Sequence, residues 1–123
     1  MDSRKGRTGT EFEVSIVEHA EGSEGYSVMS VRGEMDLHTA PKFQQAIERA
    51  AEDVCTVVVD MGDVAFMDST ALSSLMRSKD ALDQKGASLR LAAPSAAVER
   101  IFSITGFSDY FEIFPSREAA IPA

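Results

Sequence analysis

The run Phe66-Met67-Asp68-Ser69-Thr70-Ala71-Leu72 places two hydroxyls directly after a carboxylate and just before apolar residues. Asp-Ser-Thr of this kind caps helices for local reasons, because the carboxylate and hydroxyls accept hydrogen bonds from backbone N–H groups left free in a first turn. The same residues suit a phosphoacceptor. A helix N-terminus carries partial positive charge, so a phosphate on Ser69 would be held there and not expelled. It would add about −1.5 to −2 charge beside Asp68 and disfavour an acidic partner at a docking face. Hydrolytic chemistry has no support, because a nucleophilic serine needs a base and an orienting group. The chain offers only His19 and His38. His19 falls in a hairpin. His38 falls in a helix-entry loop, where a solvent-exposed polar residue is the plainer reading. Glu34 and Asp36 at alternate positions are explained equally as a carboxylate pair or as surface acids at a strand end.

Composition narrows the classes further. In 123 residues there are 12 Lys+Arg against 20 Asp+Glu, a net charge of 12 − 20 = −8. Nucleic-acid affinity comes mainly from clustered Lys and Arg on phosphates, so DNA and RNA are not expected partners. With 44% hydrophobic and 26% charged residues the chain reads as one soluble globular domain. No apolar run reaches the roughly 18 residues of a spanning helix, so no membrane contact is expected. The basic cluster Arg4, Lys5 and Arg7 lies in a polar tail without the apolar stretch of a secretory signal. We read Met1–Thr10 as a disordered tail and the protein as cytoplasmic. The single cysteine, Cys55, with His19 and His38 makes no zinc ligand set, and no glycine-rich nucleotide loop is present. No metal and no cofactor are expected.

These residues must be positioned by a regular scaffold. Phe12, Val14 and Ile16 alternate with Glu13, Ser15 and Val17, which predicts a strand with one buried face. Turn residues over Ala20–Gly25 lead into a second strand over Tyr26–Arg32, giving a hairpin. Thr39 is read as the cap of a helix that begins at Ala40 and Pro41, with Phe43, Ile47 and Ala50 as its apolar stripe. Val54–Val59 is nearly all apolar and β-branched, the mark of a strand covered on both faces. It is read as ending at Asp60, with a short link from Gly62 to Asp68. Asp68 then caps a helix with Leu72, Leu75, Met76 and Leu82 inward, closed by Gly86. A strand over Ser88–Ala93 follows, then a helix capped by Ser95 with Val98, Ile101 and Phe102 inward, stopped by Gly106. Tyr110–Phe114 forms a last strand, and Ser116 caps a brief final helix ended by Pro122. Met29, Met35, Met61 and Met67 are read as buried.

The order ββαβαβαβα predicts an α/β fold with one mixed sheet of four to five strands and helices mainly on one face. Strand-helix-strand crossovers leave their strands parallel, so the ends of the second and third strands share one edge. Asp36–Thr39 and Asp68–Thr70 should therefore lie together where α/β sheets gather their sites.

In this order, Gly33-Glu34-Met35-Asp36-Leu37-His38-Thr39-Ala40, Phe66–Leu72 and Ile101-Phe102-Ser103-Ile104-Thr105-Gly106-Phe107 resemble the STAS domain, in particular bacterial anti-sigma factor antagonists. The resemblance spans about Phe12–Ala120, within a domain read as residues 11–121. It implies a non-enzymatic protein that binds an anti-sigma factor and frees the sigma factor for transcription. It also implies that the anti-sigma factor is a serine kinase that phosphorylates the Ser69 position, with Thr70 a weaker acceptor, and that a PP2C-type phosphatase reverses this. Partner contact would fall on Asp36, His38, Thr39, Asp68, Ser69, Thr70, Ala71 and Ser73. The family usually has glycine where Ala71 stands and often where Ser73 stands. Alanine favours a helix by about 1 kcal/mol over glycine but adds a methyl where a partner backbone would come close. A monomer or weak dimer fits this switch. The alternative is a passive scaffold subunit of a larger stressosome-like signalling or transporter assembly, which native mass would distinguish.

Overall fold

Val57, Val58 and Val59 are all fully buried, so the strand that carries them has a covered surface on each side. The structure, a computed structural model, describes residues 11–122. The tail read over Met1–Thr10 lies outside them. Strands β1 (Glu13–Ala20), β2 (Tyr26–Met35), β3 (Thr56–Met67), β4 (Ser88–Ala92) and β5 (Glu112–Phe114) form one sheet in that spatial order. β1 pairs antiparallel with β2, and all later neighbours are parallel. The expected mixed α/β sheet is therefore present.

Helices α1 (Ala40–Ala50), α2 (Ser69–Gln84) and α3 (Ala96–Thr105) bury Phe43, Ile47, Leu72, Leu75, Val98 and Phe102 in one large core. Met29, Met35, Met61 and Met67 join it from the sheet. α4 (Arg117–Ala120) covers the opposite face, where Val28, Val58, Ala92 and Ala120 form a smaller cluster. Period two sends Val57 and Val59 to the first cluster and Val58 to the second.

Several expectations need correction: β2 continues past Arg32 to Met35, and Tyr110 lies in a 3-10 turn over Ser108–Tyr110, so the last strand begins only at Glu112. β3 does not end at Asp60 but runs on to Met67, pairing with β2 alone once β4 has stopped at Ala92. Register shifts in this pairing absorb the break in pattern, as bulges do. The charge of Asp60 inside the strand is satisfied locally: its carboxylate accepts from Gly62 N–H at 3.0 Å and pairs with Arg117 at 2.9 Å. The buried face expected of β1 is only partial. Phe12 and Val14 pack on the core, but Ile16 is exposed where this edge strand shifts register between Ile16 and Glu18; Val17, on the outward set, is exposed as expected.

Gly33 is required by its surroundings. Its φ is +94°, and a Cβ there would stand 2.2 Å from the Glu11 carbonyl oxygen.

Candidate functional site at the carboxyl edge of the sheet

β2 and β3 end in register, Met35 opposite Met67, and Asp68 N–H donates to the Met35 carbonyl at 3.2 Å. This brings the Asp36–Thr39 loop and the start of α2 to one edge. Each is held by its own side-chain bonds. The Asp36 carboxylate accepts from His38 N–H at 2.9 Å and Thr39 N–H at 3.1 Å. Thr39 Oγ1 accepts from Asp36 N–H at 2.9 Å and donates to the Glu34 carbonyl at 3.0 Å. Thr39 is thus not a side-chain cap of α1, contrary to the sequence reading; its hydroxyl faces back into the loop, and Asp36 supplies the acceptor. Leu37 and His38 at the loop tip face solvent.

Asp68 caps α2 as expected, its carboxylate accepting from Ala71 N–H at 2.9 Å. That bond leaves Ser69, Thr70 and Ser73 exposed on the outer side of the helix. Among the described residues no hydrogen bond engages the Ser69 hydroxyl, and His38 makes no side-chain bond to it. Ala71 is only 1% exposed and packs in the core, so it belongs inside and not on the partner-facing surface. Its methyl points where Leu72 and Leu75 pack, because position three of the helix faces the sheet.

Beside Ser69 runs a groove of about 630 Å³ that sequence reasoning missed. It is lined by Phe66 and Met67 at the end of β3, Ser69 of α2, and Ala97, Arg100 and Ile104 of α3. Phe66 is 47% and Ile104 70% exposed, so the walls are apolar surface in water. The signal for Ile104 was its place off the Val98–Phe102 inward stripe. Phe66 gave no such signal while β3 was read as ending earlier.

The displaced ionisations lie elsewhere. The Asp80 carboxylate, three turns along α2, accepts from the Tyr110 hydroxyl at 2.5 Å and raises that phenol's pKa. Among the described residues no group of three or more His, Cys, Asp or Glu is placed to hold a metal ion, and no helix is long and apolar enough to cross a membrane. At this edge the arrangement can present hydroxyls, one guanidinium and apolar surface to a macromolecular partner.

Comparison with known proteins agrees with this architecture. The STAS domain family matches residues 19–120. The anti-sigma-B factor antagonist of Listeria monocytogenes is 37% identical over 84 residues, which cover 68% of this chain and 74% of that protein. The crystal structure of an anti-sigma factor antagonist from Mycobacterium paratuberculosis superposes with a TM-score of 0.70 at 29% identity, covering 88% of this chain and 91% of that one. A murine anion transporter, solute carrier 26 family member A9, shares the fold alone: TM-score 0.74, 17% identity, 96% of this chain and 23% of that one. With most of its length matched, and with the sheet order and carboxyl-edge geometry described above, the chain belongs to the STAS domain family.

Proposed function

We propose that this protein is a non-enzymatic, cytoplasmic anti-sigma factor antagonist that docks on an anti-sigma factor through the Asp36–Thr39 loop and the start of α2, releasing the sigma factor. Phosphorylation at Ser69 turns it off. The observation that carries this reading is the Ser69 hydroxyl, exposed and without a hydrogen-bond partner among the described residues, beside a cap already satisfied by Asp68. Its similarity to anti-sigma factor antagonists supports the partner class. In the switch, the anti-sigma factor acts as a kinase. The Ser69 oxygen takes the γ-phosphoryl of ATP, ADP leaves, and the hydroxyl proton passes to solvent or a kinase base. A PP2C-type phosphatase hydrolyses the ester back to serine. Thr70 is exposed in the same turn and is the weaker acceptor.

The mechanism is local charge. A phosphate adds about −1.5 to −2 charge to a face that already carries Asp36 and Asp68. A coupling of about 1 to 3 kcal/mol, or about 5- to 150-fold in affinity, is enough for a switch. The test is capture from lysate of the source organism with wild type and Ser69→Asp as paired baits, followed by phosphate labelling of wild type and Ser69→Ala by the captured kinase. Wild type should retain a small ATPase that Ser69→Asp loses, and Ser69→Ala should not be labelled. Equal capture by both baits, or labelling of Ser69→Ala as strong as wild type, overturns the reading. A monomer or weak dimer by native mass fits it; a large self-assembly supports the scaffold alternative instead.

A further inference from the structure

We propose that Arg100 is the phosphate-receiving residue of this site: phosphoserine at position 69 pairs with it in the groove and closes that groove to a partner's apolar side chain. The inference rests on reading Ser69 as the acceptor and adds the group that answers the modification. Ser69, at the start of α2, and Arg100, on α3, line the same groove, and among the described residues Asp68 is the only other titratable side chain that lines it. The Asp68 carboxylate is already engaged, accepting from Ala71 N–H at 2.9 Å.

Arg100 is set apart from several arginines of the chain. Arg32, Arg90 and Arg117 lie 3.5, 3.5 and 2.9 Å from Glu13, Glu112 and Asp60. Arg100 is exposed, and among the described residues no carboxylate pairs with it, although the chain holds 20 acidic residues. Its place on α3 explains this. Val98 and Phe102 anchor the inward side of that helix, so Arg100 between them projects outward beside Ile104.

A guanidinium presents a planar fork of N–H donors that fits phosphate oxygens two at a time. Unmodified Ser69 offers it a short neutral hydroxyl. A phosphate lengthens that side chain and brings three acceptor oxygens and a double charge into the groove. The resulting pair lies over Phe66 and Ile104, replacing open apolar surface with a bridged ion pair. Modification then acts in two ways: it repels acidic groups and it fills an apolar recess.

The experiment installs phosphoserine at position 69 during translation, in otherwise wild-type protein and in Arg100→Ala and Arg100→Lys, and follows the phosphate by 31P NMR as pH is varied. A neighbouring cation favours the dianion. Asp68 and the α2 N-terminus act on the phosphate equally in all three proteins, so with Arg100 present the second phosphate pKa, ordinarily about 6, should lie below that of the protein lacking it. Arg100→Ala should raise it by about 0.5 unit or more, a factor of about 3 in proton affinity, with Arg100→Lys in between. Screening salt at about 1 M should shrink the difference, since the Debye length falls to about 3 Å. Titration curves that coincide in all three proteins overturn the proposal. Arg100→Lys keeps the charge and guards against a folding artefact. Because the phosphoserine is supplied in translation, the result does not depend on any kinase. An Arg100-dependent shift without cellular labelling of Ser69 would uphold the pair and refute the switch, and labelling without the shift would do the reverse.

Discussion

Replacing Asp68 separates the structural role of the α2 start from its proposed signalling role. The Asp68 carboxylate accepts from Ala71 N–H at 2.9 Å, while the Ser69 hydroxyl makes no bond among the described residues. Asp68→Ala loses a helix cap worth about 1 kcal/mol. It also removes a negative charge from a helix N-terminus, worth about 0.3 to 1 kcal/mol. The sum is about 1.5 kcal/mol. Asp68→Asn keeps the acceptor and loses only the charge, so it should cost about 0.5 kcal/mol. Ser69→Asp adds a favourable charge to the first turn but crowds Asp68, and the two effects of about 0.5 kcal/mol nearly cancel. Urea unfolding reads these differences directly. With a slope of about 1.5 kcal/mol/M, the midpoint should fall by about 1 M in Asp68→Ala, by about 0.3 M in Asp68→Asn and scarcely at all in Ser69→Asp. A midpoint for Asp68→Ala within about 0.2 M of wild type would refute the cap argument. A fall in Ser69→Asp as large as in Asp68→Ala would mean that its loss of partner reports unfolding and not charge.

Gly33→Ala should cost at least about 2 kcal/mol, because a side chain at φ +94° is strained and its Cβ would stand 2.2 Å from the Glu11 carbonyl oxygen. An unchanged melting temperature would contradict that geometry. Both tyrosines should ionise above their ordinary value of 10.0 in an absorbance titration at alkaline pH, since Glu18 accepts from Tyr26 and Asp80 from Tyr110. The raised folded values mean that each bond stabilises the fold below that ordinary value and is lost as pH rises through the folded pKa. Asp80→Asn should bring one of the two transitions back down; if neither moves, the Tyr110 bond is absent in solution.

The parts of this molecule that were legible in the sequence are those whose cause is local. Asp68, Ser95 and Ser116 were recognisable as caps because each accepts from an N–H three residues on, at 2.9, 3.3 and 3.1 Å. The parallel pairing of β2 with β3, and with it the meeting of Asp36 and Asp68 at one edge, followed from the crossover between them. Three features were missed: one turns on a strand distant in sequence, and two on which of several nearby acceptors or helix faces wins. β3 continues past Gly62 because β2 lies alongside to pair with it, which no window around Gly62 contains. Thr39 forgoes the helix cap because the Glu34 carbonyl competes for its hydroxyl. Ala71 turns inward because Asp68 sets the phase of α2, so the methyl that replaces the family's glycine adds core contact and leaves the exposed hydroxyl face unaltered.

That last placement bears on how a switch at this edge can work. The Asp68 N–H to Met35 carbonyl bond, the Asp36–Thr39 bond set and the Asp68 cap all exist with Ser69 unmodified. The edge is therefore already assembled, and none of these bonds uses the Ser69 oxygen that would carry the phosphate. Modification need not melt the helix, whose N-terminus tolerates an anion. What it changes is the surface: charge beside Asp68, and a new acceptor in the groove that Arg100, Phe66 and Ile104 line. A chain with net charge −8 does not favour phosphate by its general field, so the modification is answered locally, by the α2 N-terminus and by a placed cation. A conformational switch would predict chemical-shift changes spread through α2 and the sheet on phosphorylation. A surface switch of this kind predicts changes confined to the groove and the Asp36–Thr39 loop, with the core resonances of Phe43, Leu75 and Val59 unmoved.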